Sequence, residues 1–491
     1  MKKIRIGFDL DGVISENAIF KSKKIKELYN IDLEPWQLTS NIIDTFVPNK
    51  SIRRAIGSLS ALTIQPNFVD KETISVLKTL KSLDIELYII SRRGKSNQGI
   101  EIAKNTIEKL KISDYFKEII FCETEEEKIE KIKEKNIDLF IDDRIEILNG
   151  ISSNVHFPLL FDEYDLIKKG LLDFEKKYVV INSFKLIMNY VNFLLMIRSA
   201  ISELLTKSII HNPNKYEIIS YLNNIVVKVD GLYLKIYKGD STIRDNELIL
   251  YKNIENNNMF KEMVFQGIIK LDIEYYFALF KPIHGDTLDN VEYNEKNAQN
   301  IAESIYSFIK LTSKIKCEKF GDINGKFEGE YNNFKEYIFN FQHKTATTLY
   351  MEPMTRKYSA LPYDLLVQYE EYFNINKAYI IPVDLNFKNI IITDQFEIKI
   401  IDPGALIAGP LEMAYGEFCA HAYGTIIYDN FEKLICQSDK KLIRIYAILL
   451  LLNILAFIIR NNIMSPYLAK PFGNNKTFFE LIDEHLKFIS Q

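Results

Sequence analysis

Residues 3–14 read KIRIGFDLDGVI, an apolar run that alternates, saturates and then breaks at Asp9 and Asp11. That is the pattern of a strand buried on both faces of a parallel sheet and ending in a polar loop. Glu86–Ile90, in DIELYIISRRG, and Ile137–Ile141, in NIDLFIDDR, repeat it. Between these runs lie Lys/Glu-rich segments with helical spacing, Thr73–Leu83 and Glu125–Lys135, so the order is β, α, β, α, β. The alternation predicts a doubly wound α/β sheet. Ligands of such sheets gather beyond the carboxyl ends of the strands, where Asp9, Asp11, Ser91, Asp142 and Asp143 all fall.

Working outward, residues 15–70 carry Trp36, Pro35, Pro48 and Pro66 among short apolar clusters and interrupt the rhythm. They are expected to form a mostly helical cap over the site. From Phe161 to about Ser208 the text reads as helical, which puts a connector at 171–208 and the first domain at 1–170. IVVKV and LYLKIYK, within Ile225–Tyr237, then read as two strands joined by an Asp230-Gly231 turn. A second strand-rich piece, IEYYFALFKPI, precedes His284-Gly285, and helical periodicity dominates after Asn297. A β-rich lobe at 209–283 and a helical lobe at 284–491 are implied. His284 receives no chemistry, since a histidine in such a turn is more often structural.

The 491 residues exceed what one core of about 250–300 residues accommodates, so two or three domains are expected. A net charge of −4, from 62 basic and 66 acidic residues, offers no general surface for a polyanion, which argues against nucleic acid as a partner. Cys122, Cys317, Cys419 and Cys436 form no CxxC pair and suggest neither a disulfide framework nor a zinc site, consistent with a cytoplasmic protein. The N-terminus reads as a strand and not as a signal sequence. Ile445–Ile459 is apolar but shorter than the roughly 20 residues of a spanning helix, so a buried core helix and no membrane association are expected.

Aspartates at i and i+2 past a strand point the same way, so one can attack while the other handles a proton. A carboxylate nucleophile suits phosphoryl transfer because its acyl phosphate is cleaved by water, and the accumulated negative charge calls for Mg²⁺ and a cationic side chain. FDLDGV resembles the first motif of the haloacid dehalogenase superfamily, with Asp9 at the nucleophile position and Asp11 at that of the general acid/base. Ser91 matches the second motif. Lys128, fourteen residues before Asp142, has the spacing of nucleotidase-like members, with Lys131 and Lys133 as neighbours that could serve instead. The resemblance implies Mg²⁺ on Asp9, Asp142, Asp143 and the backbone carbonyl of Asp11. Arg92 and Arg93 could contact substrate phosphate or face solvent.

A second constellation lies in AYIIPVDLNFKNIIITDQFEIKIIDPG, residues 378–404. Kinases that phosphorylate a hydroxyl use one aspartate to orient the acceptor, an asparagine five residues on and a later aspartate for Mg²⁺, and Asp384, Asn389 and Asp402 have that spacing. The stretch resembles the aminoglycoside phosphotransferase and choline kinase family, which implies a bilobal protein-kinase-like fold. It also implies that Lys235 contacts ATP phosphates, that Glu247 is its ion-pair partner, with Asp245 and Glu262 as alternatives, and that Phe280–Ile283 is the hinge. Pro382 stands where the family usually has histidine, and Asn386 replaces a second common polar residue.

The expectation is a multidomain α/β plus α+β enzyme. It joins a Mg²⁺-dependent phosphatase for a small-molecule phosphomonoester to an ATP-dependent kinase for the hydroxyl of a sugar, amino sugar, nucleoside or amino alcohol. The rival readings are a kinase-like lobe that only binds or regulates, and a nucleic-acid end-healing enzyme.

Overall fold

A computed structural model describes residues 2–94, 97–173, 177–221, 224–239, 242–254, 259–324, 326, 328–461 and 469–491, with Lys252 and Lys316 by their backbone alone. The chain divides into two units, Met1–Tyr221 with Val227–Asp230, and Leu222–Val226 with Gly231–Gln491.

The first unit runs β1 (Arg5–Phe8), α1 (Ala18–Tyr29), α2 (Ile43–Phe46), α3 (Lys50–Ala61), α4 (Thr73–Ser82), β2 (Glu86–Arg92), α5 (Asn97–Leu110) and β3 (Glu118–Cys122). It continues with α6 (Glu125–Glu134), β4 (Leu139–Asp142), α7 (Ile145–Ile151), β5 (Phe157–Phe161), β6 (Val179–Ile181) and α8 (Ile187–Thr206). The six strands form one parallel sheet in the order β3-β2-β1-β4-β5-β6, with Ile6 in register with Leu87 on one side and Leu139 on the other. Winding therefore reverses between β1 and β4. Successive strand side chains take opposite faces. Leu87 and Ile89 pack with α4, α5 and α8, whereas Tyr88 and Ile90 pack with α6 and α7. Between β1 and α4, helices α1 to α3 enclose a small separate core of Ile25, Leu38, Val47 and Ile56.

The region 161–208 departs from the expected helical connector. Val179–Ile181 is a strand that extends the sheet beside β5, and the long helix begins only at Ile187. Phe184, Ile187, Val191 and Leu194 bury themselves in the same core as Phe8, so the segment is an integral part of the first unit. A three-residue strand is too short to show a period, and its partner lies outside the local sequence.

The chain leaves this unit through β7 (Tyr216–Ser220) and β8 (Asn224–Val229). The second unit contains β9 (Leu232–Tyr237), α9 (Thr242–Asn253), β10 (Met263–Lys270) and β11 (Glu274–Phe280), in which β9, β11 and β10 pair antiparallel. Then follow β12 (Gly285–Thr287), α10 (Glu295–Thr312), β13 (Lys316–Cys317), β14 (Gly321–Asp322), α11 (Phe334–Met351), α12 (Leu361–Gln368) and β15 (Ala378–Pro382). The last elements are β16 (Ile390–Thr393), β17 (Ile398–Ile400), β18 (Leu406–Gly409), α13 (Leu411–Ala422), α14 (Ile426–Leu434), α15 (Lys440–Asn461) and α16 (Phe478–Ile489). Two small antiparallel pairings, β16 with β17 and β15 with β18, frame the loops that carry Asp384 and Asp402. Helix α15 has no polar face, and it packs on α11, α13 and α16 as such a helix must. By length and composition Phe184–Thr206 and Lys440–Asn461 could each cross a membrane; 78% of the apolar window in the second is buried within its own unit.

Candidate active sites

Asp9 follows β1 and Asp142 ends β4, the strands between which winding reverses, so both carboxylates sit at the same end of the sheet. Lys128 joins them, its Nζ 2.9 Å from Asp9 Oδ1 and 2.7 Å from Asp142 Oδ2, and all three residues are buried. Helix α6 begins at Thr124, whose hydroxyl accepts the Glu127 N–H at 3.1 Å, and its inward face carries Lys128 and Ile132. Lys131 instead pairs with Glu134 at the surface, and Lys133 is exposed.

Asp143 supplies a third carboxylate: one oxygen each of Asp9, Asp142 and Asp143 lie within 4.8 Å of one another. Burial pushes Asp142 up to about 8 against the pull of Lys128, and it pushes Asp143, with the charge of Asp9 adding, up to about 6. Burial opposes the charge on Lys128, yet Asp142 and Asp9 raise its pKa. Two buried acids thus share one lysine with a half-buried third beside them, and a divalent cation with oxygen ligands would relieve the excess.

Asp11 takes a different partner. Arg93 Nη2 lies 2.9 Å from its Oδ1, which leaves Arg93 buried and turned into the site. Burial raises the Asp11 pKa, with Arg93 opposing. Arg92 faces outward to Glu125 at 2.7 Å, and Arg144 bonds the same carboxylate. Ser91 is buried at the end of β2 and lines a cleft of about 310 Å³ together with Asp9, Asp11 and Lys128. The opposite wall comes from 15–70. Ser40 donates to Asp143 Oδ2 at 2.9 Å and the Asn41 amide to the Asp143 carbonyl at 2.7 Å, which fastens the cap to the sheet end. Gly12 has φ +77°, and a Cβ there would stand 2.7 Å from Asp143 Oδ2, so the turn after Asp11 excludes a side chain.

In the second unit Lys235 Nζ, on β9, lies 2.9 Å from Glu247 Oε2 of α9 and 2.8 Å from Asp402 Oδ1. Lys261 joins the same carboxylates at 3.5 and 3.1 Å, and the Tyr237 and Tyr251 hydroxyls donate to Glu247 at 2.9 and 2.7 Å. Against burial, Lys261 and Lys235 hold the Asp402 carboxyl well below the usual range. The alternatives to Glu247 are occupied elsewhere, Asp245 by Arg244 and Glu262 by Lys281. Asn246 ties α9 to the Asp402 loop, donating to the carbonyls of Ile323 at 2.9 Å and Gly404 at 3.2 Å. A Cβ on Gly404 would come within 2.3 Å of the Ile243 carbonyl oxygen, so glycine permits this approach.

Asp384 adopts φ +66°. Its N–H donates to Glu417 Oε1 at 2.6 Å, and its carboxylate accepts from the amides of Asn386 at 2.5 Å and Asn389 at 3.0 Å. Burial raises its pKa, with His421 opposing and Glu417 adding. Ile401 N–H donates to the Asn389 carbonyl at 2.9 Å, one residue before Asp402. Pro382 ends β15 in register with Leu406, and the loop beyond it is held from below by Glu417, itself 3.3 Å from His421 Nε2. His284 is exposed.

Sequence reasoning missed Gly12, Lys261, Glu417 and His421. Gly12 sits inside the quoted DLDGV and could have been read from the turn. Glu417 and His421, at i and i+4 on α13, carry only the spacing of a helix face.

No protein-family model and no curated protein matches the sequence. Among solved structures the chain is similar to a thermostable mutant of aminoglycoside phosphotransferase APH(4)-Ia in ternary complex with AMP-PNP and hygromycin B, at 12% identity over 56% of this chain and 92% of that one, TM-score 0.43. It is also similar to ADP-bound aminoglycoside phosphotransferase APH(2'')-Ib, at 16% identity over 59% of this chain and 97% of that one, TM-score 0.37.

Proposed function

We propose that the chain carries two phosphate-chemistry sites, a Mg²⁺-dependent phosphomonoester hydrolase of the haloacid dehalogenase type in the first unit and an ATP-dependent small-molecule kinase in the second. The observation that carries the first is the buried contact of Lys128 with both Asp9 and Asp142, with Asp143 alongside. Asp9 attacks phosphorus and expels the alcohol, whose oxygen takes the proton of Asp11; water then cleaves the acyl phosphate, returning its proton to Asp11 and freeing Asp9 and phosphate. Lys128 neutralises Asp9 and orients it, and Ser91 and Arg93 face the same cleft. Mg²⁺, held by Asp9, Asp142, Asp143 and the Asp11 carbonyl, would supply charge neutralisation at the phosphoryl group. Mg²⁺-dependent hydrolysis of p-nitrophenyl phosphate that vanishes in Asp9→Asn is the expected result; undiminished hydrolysis would remove the assignment.

For the second unit the supporting observation is Lys235 shared between Glu247 and Asp402, with Asp384 and Asn389 hydrogen-bonded to each other. Lys235 would contact the ATP phosphates, and Asp384 would orient and deprotonate the acceptor hydroxyl of a sugar, amino sugar, nucleoside or amino alcohol. The Asn389 amide nitrogen is engaged by Asp384, which leaves its oxygen, with the Asp402 carboxylate, to hold Mg²⁺ against the nucleotide. ATP-dependent phosphorylation across an acceptor panel that disappears in Asp384→Asn tests this. Equal turnover in the variant would favour a binding or regulatory module.

A further inference from the structure

The cleft of the first unit contains a cation that the hydrolytic step does not use. Lys21, on the first turn of α1, is half-buried and lines the same cleft as Asp9. The other cations there are engaged: Lys128 by Asp9 and Asp142, Arg93 by Asp11. Arg92 and Arg144 both bond Glu125. No carboxylate among the described residues comes within 4.0 Å of Lys21 Nζ. Burial lowers its pKa, while Asp143, Asp11 and Glu16 act on it from a distance. A partly desolvated ammonium without a close counter-charge is costly, and an anion in the cleft would answer it.

The surroundings limit what that anion can be part of. The cap side of the cleft is lined by Leu38, Ile43, Gly57 and Ala61 with the polar Asn17, Ser40 and Ser60, and a Cβ added at Gly57 would meet nothing within 4 Å. On the cap side the leaving group therefore has open room, a wall of mixed polarity and a single cation. The phosphoryl group already has Lys128 at the sheet end, so Lys21 is available to a second charge on the same molecule. Resting on the phosphatase reading of this site, we infer that its substrate is a compact phosphomonoester with a second anionic group, a carboxylate or another phosphate, held by Lys21 of the cap.

The test measures Mg²⁺-dependent phosphate release by the full-length protein from glycerol 2-phosphate, 2-phosphoglycolate and fructose 1,6-bisphosphate. One or both probes with a second anionic group should exceed glycerol 2-phosphate in kcat/KM by roughly 10-fold or more, and which one does so identifies the second anion. That ratio should collapse in Lys21→Met through KM and be kept in Lys21→Arg. Asp9-dependent hydrolysis with no preference, or a ratio unmoved in Lys21→Met, would overturn the inference and leave the phosphatase reading standing. No Asp9-dependent hydrolysis of any probe would remove both.

Discussion

Lys128 and Asp142 meet at 2.7 Å with side chains 3% and 0% exposed, and the same ammonium reaches Asp9 at 2.9 Å. Two buried carboxylates therefore depend on one lysine. Breaking a buried pair from one side strands its partner in a medium that solvates it poorly, at a cost of about 3–5 kcal/mol. Lys128→Met should lower the melting temperature of the first unit accordingly and abolish phosphate release. Calorimetry showing an unchanged transition would mean that the carboxylates have another source of neutralisation.

Gly12→Ala strikes the same site from the backbone. The new methyl would stand 2.7 Å from Asp143 Oδ2 in a left-handed turn, which costs a residue with a Cβ about 1–2 kcal/mol before any clash. The expected outcome is a destabilised first unit with weakened Mg²⁺ binding, read by thermal melts across a Mg²⁺ titration. A Mg²⁺-induced shift equal to wild type would contradict it.

In the second unit Lys235→Met removes the ammonium shared by Glu247 and Asp402, while Lys261 remains 3.5 Å from Glu247. ATP-dependent turnover should fall roughly 100-fold or more, as when one preorganised charge is removed from a phosphoryl-transfer site. Steady-state kinetics of Lys235→Met and Lys261→Met together would show which lysine carries the nucleotide.

Glu417 acts through Asp384, whose N–H it accepts at 2.6 Å. Glu417→Ala, which removes that acceptor, should displace the loop and lower kcat for the proposed kinase reaction by about 10- to 100-fold, with a much smaller change in the KM for ATP. A variant altered chiefly in the KM for ATP would assign Glu417 to the nucleotide site instead.

Glu163, just past β5, has its carboxyl pushed up to about 7 from an ordinary 4.5 by burial, with the charge of Glu16 adding. Its folded value lies above its unfolded one, so its stabilising contribution is complete below about 4.5 and is lost as pH rises through about 7. Glu163→Gln should therefore raise the melting temperature relative to wild type by more near pH 8.5 than near pH 5. An offset that does not change with pH would show that the carboxyl titrates normally.

These contacts also explain what could be read beforehand. Asp9 and Asp142 could be placed at strand ends because the strands before them saturate with apolar residues and then stop, whereas Lys128 was singled out only by the family spacing it resembles, with Lys131 and Lys133 open beside it. Asp384, Asn389 and Asp402 were singled out by the spacing of the kinase motif they resemble. Arg93 could not be directed to Asp11, nor Lys261 to Asp402, because each pair joins segments far apart in the chain and has no periodic signature. The strand Val179–Ile181 was hidden for the same reason: its pairing with β5 outweighs a helical-looking neighbourhood.

Phosphate release and ATP-dependent transfer, measured separately on one metabolite panel for wild type, Asp9→Asn and Asp384→Asn, test the two-site account most directly. Each substitution should silence one activity and spare the other. Loss of both activities in either variant, or of neither, would contradict it.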